Sequence, residues 1–461
     1  MTAPSERVLS TLNPDGTRNW IRPRLARGRF LRRRRIVGYA LIALFVALPL
    51  IEIGGRPALL LDLVTRELSV FGSVFRPTDG FILMLVGLVV VLAVFLVTAL
   101  FGRVWCGWGC PQTVYLELVF RPIERWLEGN ATQQAKLPRF HVRRVAKWAI
   151  YAALSFAIAN VFLAYFVGVA RLRTWVIDSP ADHLTGFLVV LAVSALMLFD
   201  FGYFREQACI LACPYGRLQT VLLDRQSLIV GYDAARGEPR GKPKKHLPVV
   251  QGRGDCVDCG ACVAVCPTGI DIREGLQMEC IGCAQCIDAC DTVMDKLAKP
   301  RGLIGYTSQD GLAGKAVRLL RARTVLYPVL LLIASTLLVW SIAGKSSTDV
   351  TVERISGASF VELPDGTISS QARLKIENES ETHRQYTISI VDGPELRLRS
   401  SATWEIEPRK SIEVPVFIDV PRGGFRAGKR EVTIRVVDDS GFHRAVALTL
   451  FGPSTSGSGA P

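Results

Sequence analysis

The sequence predicts a membrane protein of about five transmembrane helices, with an inserted cysteine-rich module and a C-terminal all-β domain. Three observations support this fold class. The 461 residues are 49% hydrophobic and contain long apolar runs. Eight of the twelve cysteines lie within residues 255–291, and the last hundred residues show short alternating runs without a cysteine. A chain of this length has room for two or three domains.

Five apolar runs come close to the length of about 20 residues that a helix needs to cross a bilayer. Four of them form a transmembrane region over residues 36–204, and the predicted spans are 36–53, 80–101, 146–168, 184–204 and 325–343. Between the first two spans, residues 54–79 contain the amphipathic run LLLDLVTRELSVFG. We expect this run to lie along the outer membrane interface.

The basic residues predict the orientation of the chain in the membrane. The net charge is +14, and residues 1–35, 102–147 and 205–324 carry ten, eight and seventeen Lys or Arg residues, whereas the two opposite loops carry three and two. The positive-inside rule therefore predicts that the basic tail 1–35 and segment 205–324 are cytoplasmic, and that the C-terminal domain is periplasmic. No surface of interleaved aromatic and basic residues indicates nucleic-acid binding.

The cysteine-rich stretch repeats the spacing C-x-x-C-x-x-C-x-x-x-C. The two runs are Cys256, Cys259, Cys262 and Cys266, then Cys280, Cys283, Cys286 and Cys290. In two-cluster ferredoxins the fourth cysteine of each run binds the other 4Fe–4S cluster. This rule predicts one cluster held by Cys256, Cys259, Cys262 and Cys290, and a second held by Cys280, Cys283, Cys286 and Cys266. Zinc would favour more widely spaced pairs, and disulfides would not require one spacing twice.

We therefore expect a bacterial-type α+β ferredoxin module at about 250–300, inside segment 205–324. Thiolates that hold clusters indicate a reducing compartment. One departure is visible: Pro267 follows the first run, but Asp291 follows the second, where proline is usual.

The four remaining cysteines form a second repeat. Cys106 and Cys110, like Cys209 and Cys213, stand in C-x-x-x-C-P at the end of a predicted span. The spacing i, i+4 would place both thiols of a pair on one face of a helical turn, and the proline would break or start a helix there. Buried apolar cysteines, a dithiol–disulfide couple and thiolate ligands for Cu(I), zinc or iron–sulfur remain alternatives. No two of the five histidines pair on a span, which argues against haem held by two histidines in the bilayer.

Residues 348–453 predict a different kind of domain. About seven short runs of alternating polarity, separated by turn residues such as Asp365-Gly366, indicate an antiparallel immunoglobulin-like sandwich. The final residues, 454–461, have the composition of a disordered tail.

The stretches WCGWGCPQTVY and ACPYGR, the double cysteine run and the sandwich-like tail together resemble the FixG/CcoG family. The resemblance implies a bacterial inner-membrane accessory factor for assembly of cbb-type cytochrome c oxidase, which reduces Cu(II) to Cu(I). Its implied partners are the oxidase assembly machinery or a copper transporter or chaperone, with an electron donor that the sequence does not name. Our hypothesis is that Cys106, Cys110, Cys209 and Cys213 hold the copper.

Two alternatives belong to other functional classes. Quinol dehydrogenases of the NapH type share double clusters and C-x-x-x-C-P pairs, and pass electrons to a periplasmic reductase. A non-catalytic scaffold would dock oxidase subunits through the sandwich and use its clusters as a redox sensor. A quinone requirement without a copper requirement would indicate the first, and function without clusters would indicate the second.

Overall fold

The computed structural model describes residues 10–13, 15–53, 56–76, 79–138, 140–241, 253–316, 321–344, 348–353, 360–378, 380, 382–393, 395–408 and 410–453. The chain divides into two compact units, Met1–Val339 and Trp340–Pro461. The tail 454–461, expected to be disordered, lies outside the described residues.

The helix at the first predicted span, 36–53, has different bounds. Helix α1 is Arg29–Ala47, so it starts inside the arginine run and ends before Pro49, which lies in a 3₁₀ turn. Its start is stabilised by Asp288, whose carboxylate accepts hydrogen bonds from the backbone N–H groups of Phe30 (3.1 Å) and Leu31 (2.8 Å). An acidic side chain at a helix N-terminus satisfies amides that have no partner within the helix.

Most described residues of 52–75 form short strands, and the position of this stretch along the membrane interface stays a prediction. Strands β1 (Glu52–Ile53) and β2 (Arg56–Pro57) pair, and a three-stranded antiparallel sheet follows, comprising β3 (Leu59–Asp62), β4 (Glu67–Val70) and β5 (Ser73–Phe75). The alternation of polar and apolar residues here fits a period of two, with Arg66 in a left-handed turn (φ 58°) between β3 and β4.

Within the described residues, four helices are long and apolar enough to cross a membrane: Gly80–Phe101, Val142–Val167, Leu184–Phe204 and Ala322–Ala343. They lie within four residues of the spans predicted at 80–101, 146–168, 184–204 and 325–343. Only 6–33% of their most apolar windows is buried inside the protein, which leaves apolar faces for lipid. Helix α1 does not belong to this set, because its first turns carry the arginine run.

Shorter helices connect these spans. After α2 (Gly80–Phe101) they are α3 (Val104–Trp108), α4 (Pro111–Tyr115), α5 (Arg121–Glu128) and α6 (Ala131–Lys136), with a π-helical turn at Leu116–Phe120. Then follow α7 (Val142–Val167), α8 (Val169–Ile177), α9 (Leu184–Phe199), π-helical turns at Asp200–Phe204 and Ala208–Ala212, and α10 (Pro214–Leu222).

The cysteine-rich module is closed by a strand pair and one longer helix. Strand β6 (Ile229–Tyr232) pairs antiparallel with β7 (Ile304–Thr307), bringing the two ends of the module together. Between them lie α11 (Ala234–Gly237), α12 (Ala261–Ala264) and α13 (Gln285–Lys296), and α14 (Gln309–Leu312) and α15 (Ala322–Ala343) follow. Ile287, Met294 and Ile304 are almost fully buried in the module's apolar core.

The second unit is an all-antiparallel sandwich, as the sequence predicts, with nine strands among its described residues. One sheet has the order β12-β14-β10-β8 with β9 also on β10, and the other has the order β13-β11-β15-β16. The strands are β8 (Thr348–Glu353), β9 (Phe360–Glu362), β10 (Thr367–Asn378), β11 (Arg384–Ile390), β12 (Arg397–Leu398), β13 (Thr403–Ile406), β14 (Ser411–Pro421), β15 (Lys429–Asp438) and β16 (His443–Phe451). Directly opposed pairs such as Leu374↔Val414 and Ile376↔Ile412 form the apolar ladder between β10 and β14.

Candidate iron–sulfur and thiol site

The structure gathers the eight cysteines of the double run around two cavities. The sulfur-bearing residues that line the first are Cys256, Cys259, Cys262 and Cys290. The second is lined by Cys266, Cys280, Cys283 and Cys286, together with Cys262, which lines both cavities. The fourth cysteine of each run thus reaches the cavity of the other run, which is the grouping that the sequence predicts for two clusters.

Backbone geometry explains how a short loop directs three thiols inward. In the first run Asp258 and Gly260 are left-handed, with φ of 50° and 67°, and the equivalent residues of the second run, Gly282 and Ala284, have φ of 68° and 61°. Two left-handed residues flanking the middle cysteine coil the chain around a point. The duplication in the sequence is therefore a duplication of backbone conformation.

Helix α13 serves both cavities. It carries Cys286, which lines the second cavity, and Cys290, which lines the first. Asp291 lies in the middle of this helix, and its side chain accepts a hydrogen bond from the backbone N–H of Gly302 at 3.1 Å. A proline here would remove a helical hydrogen bond, whereas Pro267 follows a helix of four residues that has already ended. This difference accounts for the missing proline.

The residues around both cavities suit a 4Fe–4S cluster. Burial raises the pKa of Cys262 to about 11, of Cys280 to about 11 and of Cys283 to about 12. Backbone hydrogen bonds oppose this effect, from Gly282 to the Cys280 thiol and from Gln285 to the Cys283 thiol. Amides directed at sulfur stabilise cluster thiolates. Among the described residues, no three His, Cys, Asp or Glu side chains converge as they do around a single ion.

The segments around the other four cysteines form a structural repeat. Their backbone conformations match more closely than their sequences do. Gly102 and Arg205, each four residues before the first cysteine of a pair, have φ/ψ of 56°/−122° and 56°/−123°. The second cysteines, Cys110 and Cys213, are both extended N-cap residues, and each is followed by a proline in the first turn of a helix. The two cysteines of a pair do not share one helical turn, whereas the expectation that the proline starts a helix is confirmed, since Pro111 and Pro214 are the first residues of α4 and α10.

Each half of this repeat contacts the other in the same way. The Cys106 thiol donates to the Gln219 side-chain oxygen at 3.5 Å, and the Thr113 hydroxyl lies 4.0 Å from the Cys209 sulfur. In both contacts the first cysteine of one pair meets the helix that follows the other pair. The residues after the two prolines also cross over, since Gln112 donates to Asp200 (3.1 Å). Likewise the Tyr215 hydroxyl lies 2.7 Å from that of Thr98.

These reciprocal contacts bring the four thiols into one region. Burial is the main cause that raises the pKa of Cys106 to about 11 and of Cys209 to about 12. Repulsion from neighbouring thiolates adds to it, because Cys110 and Cys213 both act on Cys106 and on Cys209. All twelve cysteines are free thiols, including these four.

The four-thiol region packs directly on the second cavity. A Cβ at Gly107 would lie 2.8 Å from the backbone nitrogen of Cys283, so only glycine permits this approach. Beside it, the Trp108 indole donates to the Tyr306 hydroxyl (3.0 Å), which donates in turn to the carbonyl of Gly282 (2.7 Å). The loop that carries Cys106 is thus held against the loop that carries Cys280 and Cys283.

A buried ion network next to this region escaped the sequence analysis. Arg205 donates two hydrogen bonds to Glu124 (3.2 and 3.0 Å), and Arg121 bonds Glu206 (2.9 Å) and the carbonyl of Pro267 (3.2 Å). Buried charges of this kind persist only when they are paired. In the sequence, the excess of charged residues between the spans indicates the orientation of the chain in the membrane and not a buried network.

Three family models match the chain. Residues 204–309 match a 4Fe-4S dicluster domain, residues 83–130 match a 4Fe-4S binding domain, and residues 338–453 match the IG-like fold at the C-terminal of FixG. A bundle of apolar helices joined to a dicluster module defines the class as a membrane-associated iron–sulfur redox protein.

Full-length relatives place the chain within that class. It is 34% identical to protein RdxA of Cereibacter sphaeroides over 83% of this chain and 85% of the relative. It is 32% identical to nitrogen fixation protein FixG of Rhizobium meliloti over 94% and 93%. The chain belongs to the FixG family. A crystal structure of a FixG-related protein from Vibrio parahaemolyticus aligns with 23% of this chain and 97% of its own, with 14% identity and a TM-score of 0.21.

Proposed function

We propose that this protein reduces Cu(II) to Cu(I) at a site formed by Cys106, Cys110, Cys209 and Cys213. One observation carries the proposal: among the described residues the repeat brings these four thiols into one region, not yet converged as around a bound ion, and Gly107 packs their segment against the backbone of Cys283. Close packing shortens the path for electron transfer between redox centres, and a chain that only buried apolar cysteines would not need it.

We propose the eight cysteines of the double run as cluster ligands, grouped as the two cavities group them. Cys256, Cys259, Cys262 and Cys290 would hold one cluster, and Cys266, Cys280, Cys283 and Cys286 the other. When bound, such clusters supply single electrons. The chain's own contribution is to exclude water with residues such as Ile287 and Met294 and to direct backbone amides at sulfur.

Thiolate ligands would favour Cu(I) as the product of the copper reaction. Each Cu(II) takes up one electron, and the product Cu(I) is a soft ion that thiolate binds more strongly than harder ligands do. Burial keeps the Cys106 and Cys209 thiols protonated without a metal, since their pKa values are about 11 and 12. Copper binding would therefore release protons and draw the four sulfurs together.

We further propose that the protein lies in the bacterial inner membrane with its N-terminus and ferredoxin module in the cytoplasm and its sandwich in the periplasm. The distribution of basic residues supports this orientation. Its partners would then be the assembly machinery of cbb-type cytochrome c oxidase or a copper transporter or chaperone. In sealed spheroplasts, added protease should cleave within residues 348–453 and leave segment 205–324 intact. The reverse pattern would contradict the orientation.

The direct test replaces all four thiols with alanine. We expect the C106A/C110A/C209A/C213A variant to keep the iron and sulfide content of the native protein and to lose cupric reduction at least tenfold. A variant with Ser411 replaced by alanine, at an exposed position of the second unit, controls for the effects of substitution and purification. If the fourfold variant reduces copper at the native rate, the four thiols are not the copper site.

A second candidate role for the four thiols rests on one comparison. Residues 83–130 match a 4Fe-4S binding domain, and Cys106 and Cys110 are the only cysteines in that range. The thiols would then hold a further iron–sulfur cluster and not copper. Iron content separates the two roles, because the fourfold variant would lose about a third of its iron in this case and none in the first.

A further inference from the structure

The two cavities differ in the charges that surround them. Beside the first, Arg273 is the cation that acts on Cys262, but it is paired with both Asp271 and Asp258 at 2.6 Å. Asp291 adds negative charge next to Cys290. Cys259 is exposed to solvent. Among the described residues, the cations near the first cavity are therefore paired with carboxylates, as Arg29 is with Asp291 at 3.7 Å.

Arg103 gives the second cavity a different environment. It is 7% exposed, and its guanidinium donates to the carbonyls of Met278 and, at 3.2 Å, of Cys280. Its Nε atom has no hydrogen-bond partner in the described part of the chain. The acid that acts on it most closely, Glu279, is half-buried and forms no ion pair with it among the described residues.

Arg34, on helix α1, lies near Cys283, which lines the second cavity. It is 1% exposed, and its Nε donates to the carbonyl of Gly107 at 2.5 Å, where Gly107 packs on Cys283. Its charge acts on the Cys283 thiol, and its Nη2 atom has no partner among the described residues. Glu117 lies within range of Arg34 but is engaged by Arg121.

We propose that Arg34 and Arg103 raise the reduction potential of a cluster in the second cavity above that of a cluster in the first. Reduction adds one negative charge, and a buried cation at a carbonyl of the ligand loop stabilises that charge far more than an exposed or paired cation does. The proposal rests on the assignment of clusters to the two cavities and is independent of copper. It makes the cavity next to the four thiols the preferred site of the electron.

The test is a redox titration of the intact holoprotein, followed by electron paramagnetic resonance. We expect two waves in the native protein, and Arg34→Gln or Arg103→Gln should move the higher of the two to lower potential while the lower one stays in place. Iron and sulfide content should equal that of the native protein, which shows that the titrated clusters are intact.

Two controls test whether a shift in reduction potential is caused by the loss of charge. Arg33→Gln removes an equal charge from the exposed side of α1 and should move neither wave. Arg34→Lys and Arg103→Lys retain the charge and should restore most of the native potential. The proposal is overturned if the higher wave is unchanged in both Gln variants, if the lower wave moves instead, or if Lys shifts the wave as far as Gln. None of these outcomes depends on copper reduction.

Discussion

Gly107 is the contact point between the segment that carries Cys106 and Cys110 and the loop that carries Cys280 and Cys283. A methyl group there would lie 2.7 Å from the Ile281 carbonyl oxygen and 2.8 Å from the Cys283 Cα, closer than carbon atoms can pack. We expect Gly107→Ala to push the Cys106 loop away, to cost about 1–3 kcal/mol of stability, and to slow cupric reduction. The measurement is reduction rate against copper concentration, together with iron content.

A matched glycine separates this contact from a general effect of alanine. Gly87 lies inside α2 with no atom within 4 Å of an added Cβ, so Gly87→Ala should not lower stability and should leave the rate unchanged. If Gly107→Ala also behaves like the native protein in both measurements, the contact between the loops does not matter for electron transfer.

The first cysteine of each C-x-x-x-C-P pair should contribute equally to cupric reduction. Cys106 and Cys209 occupy matching positions, and each contacts the helix after the other pair. We expect Cys106→Ser and Cys209→Ser to reduce cupric reduction by similar factors. The double variant should be little worse than either single one, because residues of one site act as a unit. Independent, multiplying losses would indicate two separate sites.

At the scale of elements, helix α13 decides whether the two cavities are held together. It spans Gln285–Lys296 and carries one cysteine for each cavity, with Asp291 in its interior. We expect Asp291→Pro to break the helix, at a cost of about 3 kcal/mol or more, and to lower the iron content of the protein. The usual ferredoxin proline would thus be harmful here.

Asp291→Asn is the control for that substitution. It keeps an oxygen that can accept the hydrogen bond from the Gly302 amide. The asparagine variant should therefore retain its iron and unfold close to the native temperature. An Asp291→Pro protein with full iron content and native thermal stability would show that α13 does not require an unbroken helix.

The elements also show which features the sequence could predict. The grouping of the eight cysteines around two cavities follows from spacing, because loop length alone limits which thiols can meet. The helical bounds of α1 could not be predicted from hydropathy, since its start depends on Asp288, 257 residues away from Leu31. The strands within 52–75 could not be predicted from hydropathy, because a short apolar run fits a period of two or 3.6 equally well.

At the scale of the whole molecule, the sequence predicted the two kinds of domain but not how the redox regions connect. The repeat of C-x-x-x-C-P indicates two equivalent cysteine pairs at the ends of two predicted spans. The packing of Gly107 on Cys283 and the approach of Arg34 and Arg103 to the ligand loops depend on tertiary structure. No periodicity or spacing in these segments predicts such contacts. An arginine in a basic run is interpreted first as a sign of membrane topology.

The central claim is that electrons held by the iron–sulfur module reduce copper. The most direct measurement mixes chemically reduced, purified protein with Cu(II) under anaerobic conditions and follows cluster absorbance and Cu(I) formation together. We predict that the clusters are reoxidised in step with Cu(I), at one electron per copper ion. Clusters that stay reduced with Cu(II) but are reoxidised by a quinone analogue would contradict the claim and support a quinol dehydrogenase.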